Sequence, residues 1–369
     1  MRFSYHFEPT AGWINDPNGL CFYNGQYHAF FQYNPYAPRW DTMHWGHAVS
    51  EDLIHWTQME TALYPDQPYE DEGGCFSGSA VEKDGMLYLL YTAVSRKLGE
   101  AQALASSRDG IRFDKCADNP LIRQGPYCTA EGRNPDFRDP KVIFAFGKYC
   151  MVLGACNGTQ GQVLLYTSLD LIRWQYEGIL YASDAFGGTP ECPDLYPLGD
   201  KWVLMFSAIK PTVASTVFVV GEFDGHSFTA EQEFYSELGP DFYAPQSFEA
   251  PDGRRILISW FYRWGKELPE SAQTAGALSI PREVTLRDGR IYNYPVAEAR
   301  HLLTETCPYV QICGTTVTVS GLDGREILKK DLLNINGLTA IEKAEILFDT
   351  KAVEIFINDG QLSLSQWLI

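Results

Sequence analysis

The feature that most constrains this chain is a pattern of segments that repeats five times. Each copy has an opening motif, a strand, a Gly-containing turn, an aromatic-rich strand and a third strand that ends in a polar turn. The copies recur roughly every 50–60 residues, which is typical of propeller blades rather than of helical solenoids. The opening motifs are Asp16-Pro17, Phe76–Ser79, Arg138–Pro140, Glu191–Asp194 and Tyr243–Ser247.

This repeat also predicts the fold class. One sheet of this kind cannot bury both of its faces, so the sheets are expected to stack radially and close into a ring. Five copies predict an all-β fold, a five-bladed β-propeller over residues 1–297. The pattern stops there, and residues 298–369 are expected to form a short β-rich tail. No long window shows a helical period, so little helix is expected.

Composition excludes several function classes. The net charge is −18, from 29 basic and 47 acidic residues, so nucleic acid and anionic membrane are not expected as partners. The nine cysteines show no metal-binding spacing and indicate reduced thiols in a cytoplasmic protein. Neither a signal peptide nor a membrane-spanning segment is predicted from the apolar runs.

Three acidic residues, Asp16, Asp139 and Glu191, occupy opening motifs. If the first strand of each repeat lines the axis, these residues meet at one end of the ring. Such a group suits either a metal site with oxygen ligands or glycoside hydrolysis with a general acid and a second carboxylate. No ligand cluster is dense in the sequence, so no metal is predicted and the second chemistry is favoured.

Aromatic and polar residues near the same motifs favour a sugar pocket. Aromatic rings stack on the apolar C–H faces of a sugar while polar groups fix its hydroxyls. Taken singly, each ring is more simply explained as part of the core. The aromatic candidates are Trp13, Phe31, Trp40, Trp45, Phe76 and Trp264, and the polar candidates are Asn15, Gln32, Ser77 and Arg138.

Local sequence suggests a different role for each acid. Arg138 precedes Asp139 and is expected to favour its ionised form, which suits a grip on sugar hydroxyls. Glu191 has the longer side chain, and two nearby carboxylates are expected to raise its pKa, as a general acid requires. Asp16 is held by a Pro-Asn-Gly turn, which suits a nucleophile in a fixed position.

Taken together, the motifs resemble those of glycoside hydrolase family 32, the family of invertases, levanases and sucrose-6-phosphate hydrolases. The matching segments follow the family's order through the whole repeat region. They are Trp13–Gly19, Phe30–Pro35, Trp45–Trp56, Phe76–Ser79, Phe137–Pro140, Glu191–Asp194 and Asp241–Gln246.

The resemblance implies a retaining β-fructofuranosidase that needs no cofactor. It implies that Asp16 is the nucleophile, Glu191 the acid/base and Asp139 the stabiliser of the transition state. Retention predicts that the carboxyl groups of Asp16 and Glu191 lie about 5–5.5 Å apart. The substrate-binding residues that it implies are Trp13, Asn15, Gln32, Trp40, Phe76, Ser77, Arg138 and Trp264.

Two features depart from the family pattern. The segment Gly187-Gly188-Thr189-Pro190 replaces the bulky residues usual before the acid/base motif, on the leaving-group side of the pocket. The family's propeller is usually followed by a two-sheet sandwich, for which residues 298–369 are too few. We therefore expect a truncated β-sandwich-like domain and, because its sheet edges would need cover, a homodimer.

Several functions fit this frame. The substrate would be a small carbohydrate with a terminal β-D-fructofuranoside: sucrose, sucrose 6-phosphate, a short fructo-oligosaccharide or a fructose dianhydride. The alternatives are a fructosyltransferase, another five-bladed glycosidase such as an arabinanase, and a non-catalytic sugar-binding propeller. The intact acids Asp16, Asp139 and Glu191 argue against the last of these.

Overall fold

Antiparallel strands make up most of the computed structural model, which describes residues 2–183, 186–211, 213–269 and 271–369. In these residues the strands form seven sheets, five with four or more strands and two with three. The predicted all-β class is therefore confirmed. Short 3-10 turns span Pro68–Glu70, Ala297–Leu302 and Ile335–Gly337, and no helix in the described ranges could cross a membrane.

The five larger sheets use the chain in consecutive blocks, one block for each predicted repeat. The first contains β1 (Gly12–Tyr23), β2 (Gln26–Asn34), β3 (His44–Ser50) and β4 (Trp56–Gln58). The second contains β5 (Gly74–Lys83), β6 (Met86–Ser95), β7 (Gly99–Ser107) and β8 (Asp114–Lys115). The third contains β9 (Phe137–Ala145), β10 (Lys148–Cys156), β11 (Gly161–Ser168) and β12 (Gln175–Ser183).

The fourth and fifth sheets continue this order. The fourth contains β13 (Glu191–Leu198), β14 (Lys201–Ser207), β15 (Thr216–Phe223) and β16 (Phe228–Phe234). The fifth contains β17 (Tyr243–Glu249), β18 (Arg255–Trp260), β20 (Arg282–Arg287) and β21 (Arg290–Pro295). The short strand β19 (Thr274–Ala275) leaves this block and pairs in parallel with the start of β1.

Two three-stranded sheets follow. One contains β22 (Val310–Cys313), β23 (Thr316–Ser320) and β24 (Glu326–Asp331), and the other contains β25 (Ala344–Asp349), β26 (Ala352–Ile357) and β27 (Leu362–Trp367). An Asn-Asp-Gly turn at residues 358–360 connects β26 to β27, with all three residues at positive φ.

The opening strands of the five larger sheets contact one another in a closed cycle. Strand β1 contacts β5, β5 contacts β9, β9 contacts β13, β13 contacts β17, and β17 contacts β1. Each of these strands has a register shift at its opening motif, where a β-bulge breaks the regular alternation of side chains. The shifts fall at Ile14/Pro17, Phe76/Gly78, Arg138/Lys141, Glu191/Asp194 and Tyr243/Gln246.

Apolar clusters fill the spaces between consecutive large sheets. Phe30 and Trp45 of the first sheet share one buried cluster with Leu87 and Leu89 of the second. Equivalent clusters join the second sheet to the third, the third to the fourth, the fourth to the fifth, and the fifth to the first. A further cluster lies between the two small sheets. The five interfaces repeat around the ring in the same order as the strand contacts.

Candidate active site

The opening motifs converge on one cavity of about 460 Å³. Its walls carry the three acidic side chains predicted from sequence, Asp16, Asp139 and Glu191. Of the substrate-binding residues that the family resemblance implies, all except Trp13 also line it. The other lining residues are Asn15, Gln32, Trp40, Phe76, Ser77, Arg138, Ile209, Tyr243 and Trp264.

Asp16 is held at the bulge of β1 by two side chains. The Ser77 hydroxyl donates to its Oδ2 at 2.6 Å, and the Asn15 amide donates to its Oδ1 at 3.1 Å. Burial raises the pKa of Asp16, and the bonds from Ser77 and Asn15 oppose that rise. The result is a carboxylate with a fixed orientation at the cavity wall.

Asp139 lies deeper, with a relative exposure of 5%. Its backbone has φ +66°, and its N–H donates to Thr92 Oγ1 at 2.9 Å. Burial raises the pKa of Asp139 to about 8, and Glu191 and Asp16 add to the rise while Arg138 opposes it. Arg138 favours the ionised form of Asp139, as expected, but the expectation of an ionised carboxylate is wrong, because removal of the carboxylate from water outweighs the attraction of the cation.

At the start of β13, each carboxylate oxygen of Glu191 contacts a different side chain. Arg138 Nη2 lies 3.1 Å from its Oε1, and the Tyr243 hydroxyl donates to its Oε2 at 2.5 Å. The Glu191 side chain keeps 26% of its surface exposed. It is thus oriented by charge and hydrogen bonding, yet it can still reach solvent in the cavity.

Cys192 connects the three acids. Its backbone N–H donates to Asp139 Oδ2 at 2.8 Å, and its thiol lies 3.5 Å from Asp16 Oδ2. Because Cys192 directly follows Glu191, one short piece of backbone places all three carboxyl groups around one space. The sequence prediction that these distant residues meet is confirmed by these contacts.

Two further acidic residues, Glu100 and Asp136, position Arg138. Its Nη1 lies 3.1 Å from Glu100 Oε1 and 3.0 Å from Asp136 Oδ1. Glu100 also accepts a hydrogen bond from the backbone N–H of Phe137 at 2.5 Å. These two acids hold the Nη1 end of the guanidinium group, and its Nη2 end faces Glu191.

The aromatic candidates divide into three groups. Trp40 and Trp264 stand at the mouth, where they are 44% and 53% exposed. Trp13 packs behind the cavity: its ring stacks on Trp264 at 5.4 Å, and its indole N–H donates to Asn15 Oδ1 at 2.6 Å. Phe31 and Trp45 are fully buried in the core, so they are not pocket residues.

Sequence reasoning missed two lining residues, Ile209 and Tyr243. A signal for Tyr243 was present, because it is the first residue of the fifth opening motif and occupies the place of Glu191 in the fourth. Ile209 follows β14 in a segment without a motif, so no sequence signal marked it.

The arrangement can support displacement at a sugar carbon. Asp16 offers a fixed carboxylate, Glu191 offers a carboxyl group that reaches solvent, and Asp139 offers a buried acid between them. Two carboxyl groups that flank one bond are the requirement of glycoside hydrolysis. Exposed rings at the mouth match the apolar faces of a sugar.

Known proteins share both the sequence and the fold. A sequence profile of the Glycosyl hydrolases family 32 N-terminal domain matches residues 6–295. The chain is 37% identical to a raffinose invertase of Escherichia coli, over 98% of this chain and 88% of that protein. It is 35% identical to a sucrose-6-phosphate hydrolase of Escherichia coli over the same shares. The solved structure of a GH32 β-fructofuranosidase of Bombyx mori matches with a TM-score of 0.85 at 30% identity, covering 100% of this chain and 89% of that chain.

Proposed function

The chain belongs to glycoside hydrolase family 32, and we propose that it hydrolyses terminal β-D-fructofuranosides with retention of configuration. The observation that carries this proposal is the contact of Cys192 with both Asp16 and Asp139, which gathers three carboxyl groups in one cavity. The raffinose invertase and sucrose-6-phosphate hydrolase relatives support the fructoside as substrate.

The reaction has two steps. In the first, Asp16 attacks the anomeric carbon of fructose while Glu191 gives its proton to the leaving oxygen, so that a fructosyl ester forms and the glycosidic bond breaks. In the second, Glu191 takes a proton from water, and the resulting nucleophile releases fructose and restores Asp16. The steps use only these side chains and water.

Asp139 has two roles in this proposal. Three carboxyl groups in one cavity repel one another when all are ionised, and the raised pKa of Asp139 lets it hold a proton at neutral pH. When Asp139 is protonated, the electrostatic repulsion on the ionised carboxylate of Asp16 is smaller. Asp139 also lines the floor of the cavity, where it can exchange hydrogen bonds with the hydroxyls of the fructose ring.

The pocket residues are assigned to substrate binding. Polar contacts to the fructose hydroxyls would come from Asn15, Gln32, Ser77 and Arg138. Apolar contacts would come from Trp40, Phe76 and Trp264, with Trp13 as a support behind Asn15 and Trp264. Their place on the wall of the same cavity as the three acids supports this assignment.

Within this function, the fold is proposed to be a five-bladed propeller over residues 1–297 with a truncated β-sandwich at residues 298–369. The closed cycle of opening strands and the five interface clusters support the propeller. The alignment to the raffinose invertase runs over 428 positions, more than the 369 residues of this chain, which supports a shortened sandwich. The homodimer stays a prediction.

A cytoplasmic location is also proposed. All nine cysteines are unpaired thiols. Reduced cysteines in this number are typical of a compartment that keeps thiols reduced.

The proposed function is tested with purified protein and a panel of sucrose, sucrose 6-phosphate, inulin, levan and arabinan. Release of free fructose from one or more of the fructosides is the expected result. Transfer products longer than the substrate would favour a fructosyltransferase, and release of arabinose alone would favour an arabinanase. No turnover of any member of the panel would contradict the proposal.

A further inference from the structure

A second cavity of about 410 Å³ lies directly beside the catalytic one. The two cavities share three wall residues, Ile209, Tyr243 and Trp264. None of the motifs singled out from sequence explains this second space. The two cavities therefore adjoin at these three side chains.

The shared wall is on the side of Glu191. The hydroxyl of Tyr243 bonds Glu191 Oε2 at 2.5 Å, so the second cavity begins next to that carboxyl group. In the proposed reaction, Glu191 protonates the oxygen of the leaving group. The second cavity therefore lies next to the group that would protonate the leaving oxygen.

The second cavity is built partly from the C-terminal sheets. Leu328 and Lys330 of β24 line it, and both lie beyond the residues that match the family profile. They are two positions apart on one strand and so share a face, whereas Lys329 points to the opposite face and is exposed. The Lys330 ammonium donates to the carbonyls of Val213 and Leu238, each at 3.3 Å, which fixes β24 against this wall.

The side chains that line the second cavity carry positive charge, whereas the molecule as a whole is negatively charged. The net charge is −18, yet the charged side chains among the described lining residues are Arg263 and Lys330, with no Asp or Glu. Glu191 adjoins the second cavity at Tyr243, and two further carboxylates near the wall are paired with cations. Asp241 is fully buried, 3.5 Å from Arg263 and 3.2 Å from Lys266, and Glu237 pairs with Arg282 at 2.7 Å.

We infer that the second cavity binds the leaving group, and that Arg263 and Lys330 select a leaving group that carries a phosphate. A phosphate would accept charge-assisted hydrogen bonds from both side chains. The apolar wall formed by Ile209, Trp264 and Leu328 would hold the sugar ring between the phosphate and the scissile bond. This inference rests on the proposed fructoside hydrolysis and specifies its substrate.

The test compares kcat/KM for sucrose 6-phosphate and for sucrose in the full-length protein. The wild type is expected to prefer the phosphorylated substrate. Arg263→Ala and Lys330→Met are each expected to lower the ratio of the two kcat/KM values about tenfold, since each removes one charge-assisted bond. Lys329→Met is the matched control on the same strand, and its ratio is expected to stay that of the wild type.

A second measurement does not depend on how the variants fold. Glucose 6-phosphate is expected to inhibit the wild-type enzyme at a concentration at least about tenfold lower than glucose, because it keeps the phosphate contacts. An enzyme that cleaves sucrose with no preference for either substrate, and that the two products inhibit equally, would overturn this inference alone. A protein that cleaves no fructoside would overturn the proposed function as well.

Discussion

At the scale of single residues, two left-handed backbone conformations shape the site. Asp139 has φ +66° and Cys192 has φ +47°, and each such residue costs about 1–2 kcal/mol relative to ordinary backbone. The two conformations bring the Cys192 N–H to the Asp139 carboxylate at 2.8 Å. Strain of this kind is concentrated where function requires a geometry that regular strands do not provide.

The raised pKa of Asp139 predicts a pH-dependent cost of folding. Its pKa is 3.8 when unperturbed and about 8 in the folded protein, so between these values the unfolded chain releases a proton that the folded protein keeps. The stability of the wild type therefore falls as the pH rises through this window. Asp139→Asn cannot lose a proton, and we expect it to be more stable than the wild type by roughly 1–3 kcal/mol near pH 8, where one pKa unit corresponds to about 1.4 kcal/mol.

Urea unfolding of both proteins near pH 4, 6 and 8 measures this difference. The gain should shrink toward pH 4, where the unfolded chain also begins to protonate Asp139 because its unperturbed pKa is 3.8. The same variant is expected to lose most of its fructosidase activity. A stability difference that does not change with pH would contradict the raised pKa.

The hydroxyl of Tyr243 predicts a second effect at this scale. Tyr243→Phe removes one hydrogen bond to Glu191 and leaves the ring and the shared wall in place. We expect kcat/KM to fall about tenfold or more, which is the range for one bond to a charged group. Steady-state kinetics on the best fructoside of the panel measures it.

The control for this variant is Tyr176→Phe, at a half-exposed position on β12 far from the opening strands. It should keep wild-type kinetics. If Tyr243→Phe behaved like this control, Glu191 would not depend on Tyr243 for its orientation.

At the scale of elements, a β-bulge directs side chains of the opening strands into the cavity. Each of the five opening strands has a register shift at its motif, so side chains leave the normal alternation and reach the cavity. In β5, Gly78 belongs to this bulge, and a Cβ there would meet the carbonyl oxygen of Leu90 at 1.9 Å. The bulge places Ser77 in contact with Asp16.

Gly78→Ala is therefore expected to destabilise the protein by roughly 3 kcal/mol, because backbone must move to admit the methyl group. Activity should fall as well, since Ser77 moves with the bulge. The control Gly85→Ala lies in the hairpin after β5, where a Cβ meets nothing within 4 Å, and only its positive φ of 71° costs about 1 kcal/mol. Denaturant unfolding and steady-state kinetics measure both variants. Equal effects of the two substitutions would exclude a special role for the bulge.

Sequence was informative where one repeat could be compared with another. The division of the chain into five large sheets, the meeting of Asp16, Asp139 and Glu191, and most of the residues that line the cavity could be predicted because five copies share one pattern. The pKa of Asp139 could not, since it depends on burial that no local pattern reveals. Strand β24, which carries Lys330, could not be predicted, because its charged residues give only a weak strand signal.

At the scale of the whole molecule, one buried arginine joins the fifth large sheet to the C-terminal sheets. Arg282 of β20 is fully buried, and its Nη2 lies 2.5 Å from Glu354 of β26. Its Nη1 lies 2.7 Å from Glu237. The guanidinium also donates to the hydroxyls of Ser363 and Ser365 on β27. Loss of this side chain would remove the ion-pair partner of the buried Glu237 and leave Glu354 paired with His6 alone.

Arg282→Met is expected to destabilise the protein by roughly 3–5 kcal/mol, the range for breaking a buried ion pair from one side. Arg300→Met is the control, because Arg300 is 45% exposed and its pairing with Glu283 at 3.3 Å should be worth less than about 1 kcal/mol. Denaturant unfolding measures both. Equal values would mean that the C-terminal sheets do not depend on Arg282 for their attachment.

The central claim is that Asp16 and Glu191 act on one anomeric carbon, with Asp16 as the nucleophile. The most direct measurement is to mix the Glu191→Ala variant with a fructoside whose activated leaving group departs without protonation, quench the reaction in acid and map the peptides by mass spectrometry. The loss of the acid/base should slow hydrolysis of the ester, and the peptide that contains Asp16 is predicted to gain the mass of one fructosyl group. A fructosyl group on any other side chain, or fructose released in a burst with Asp16 unmodified, would contradict the account.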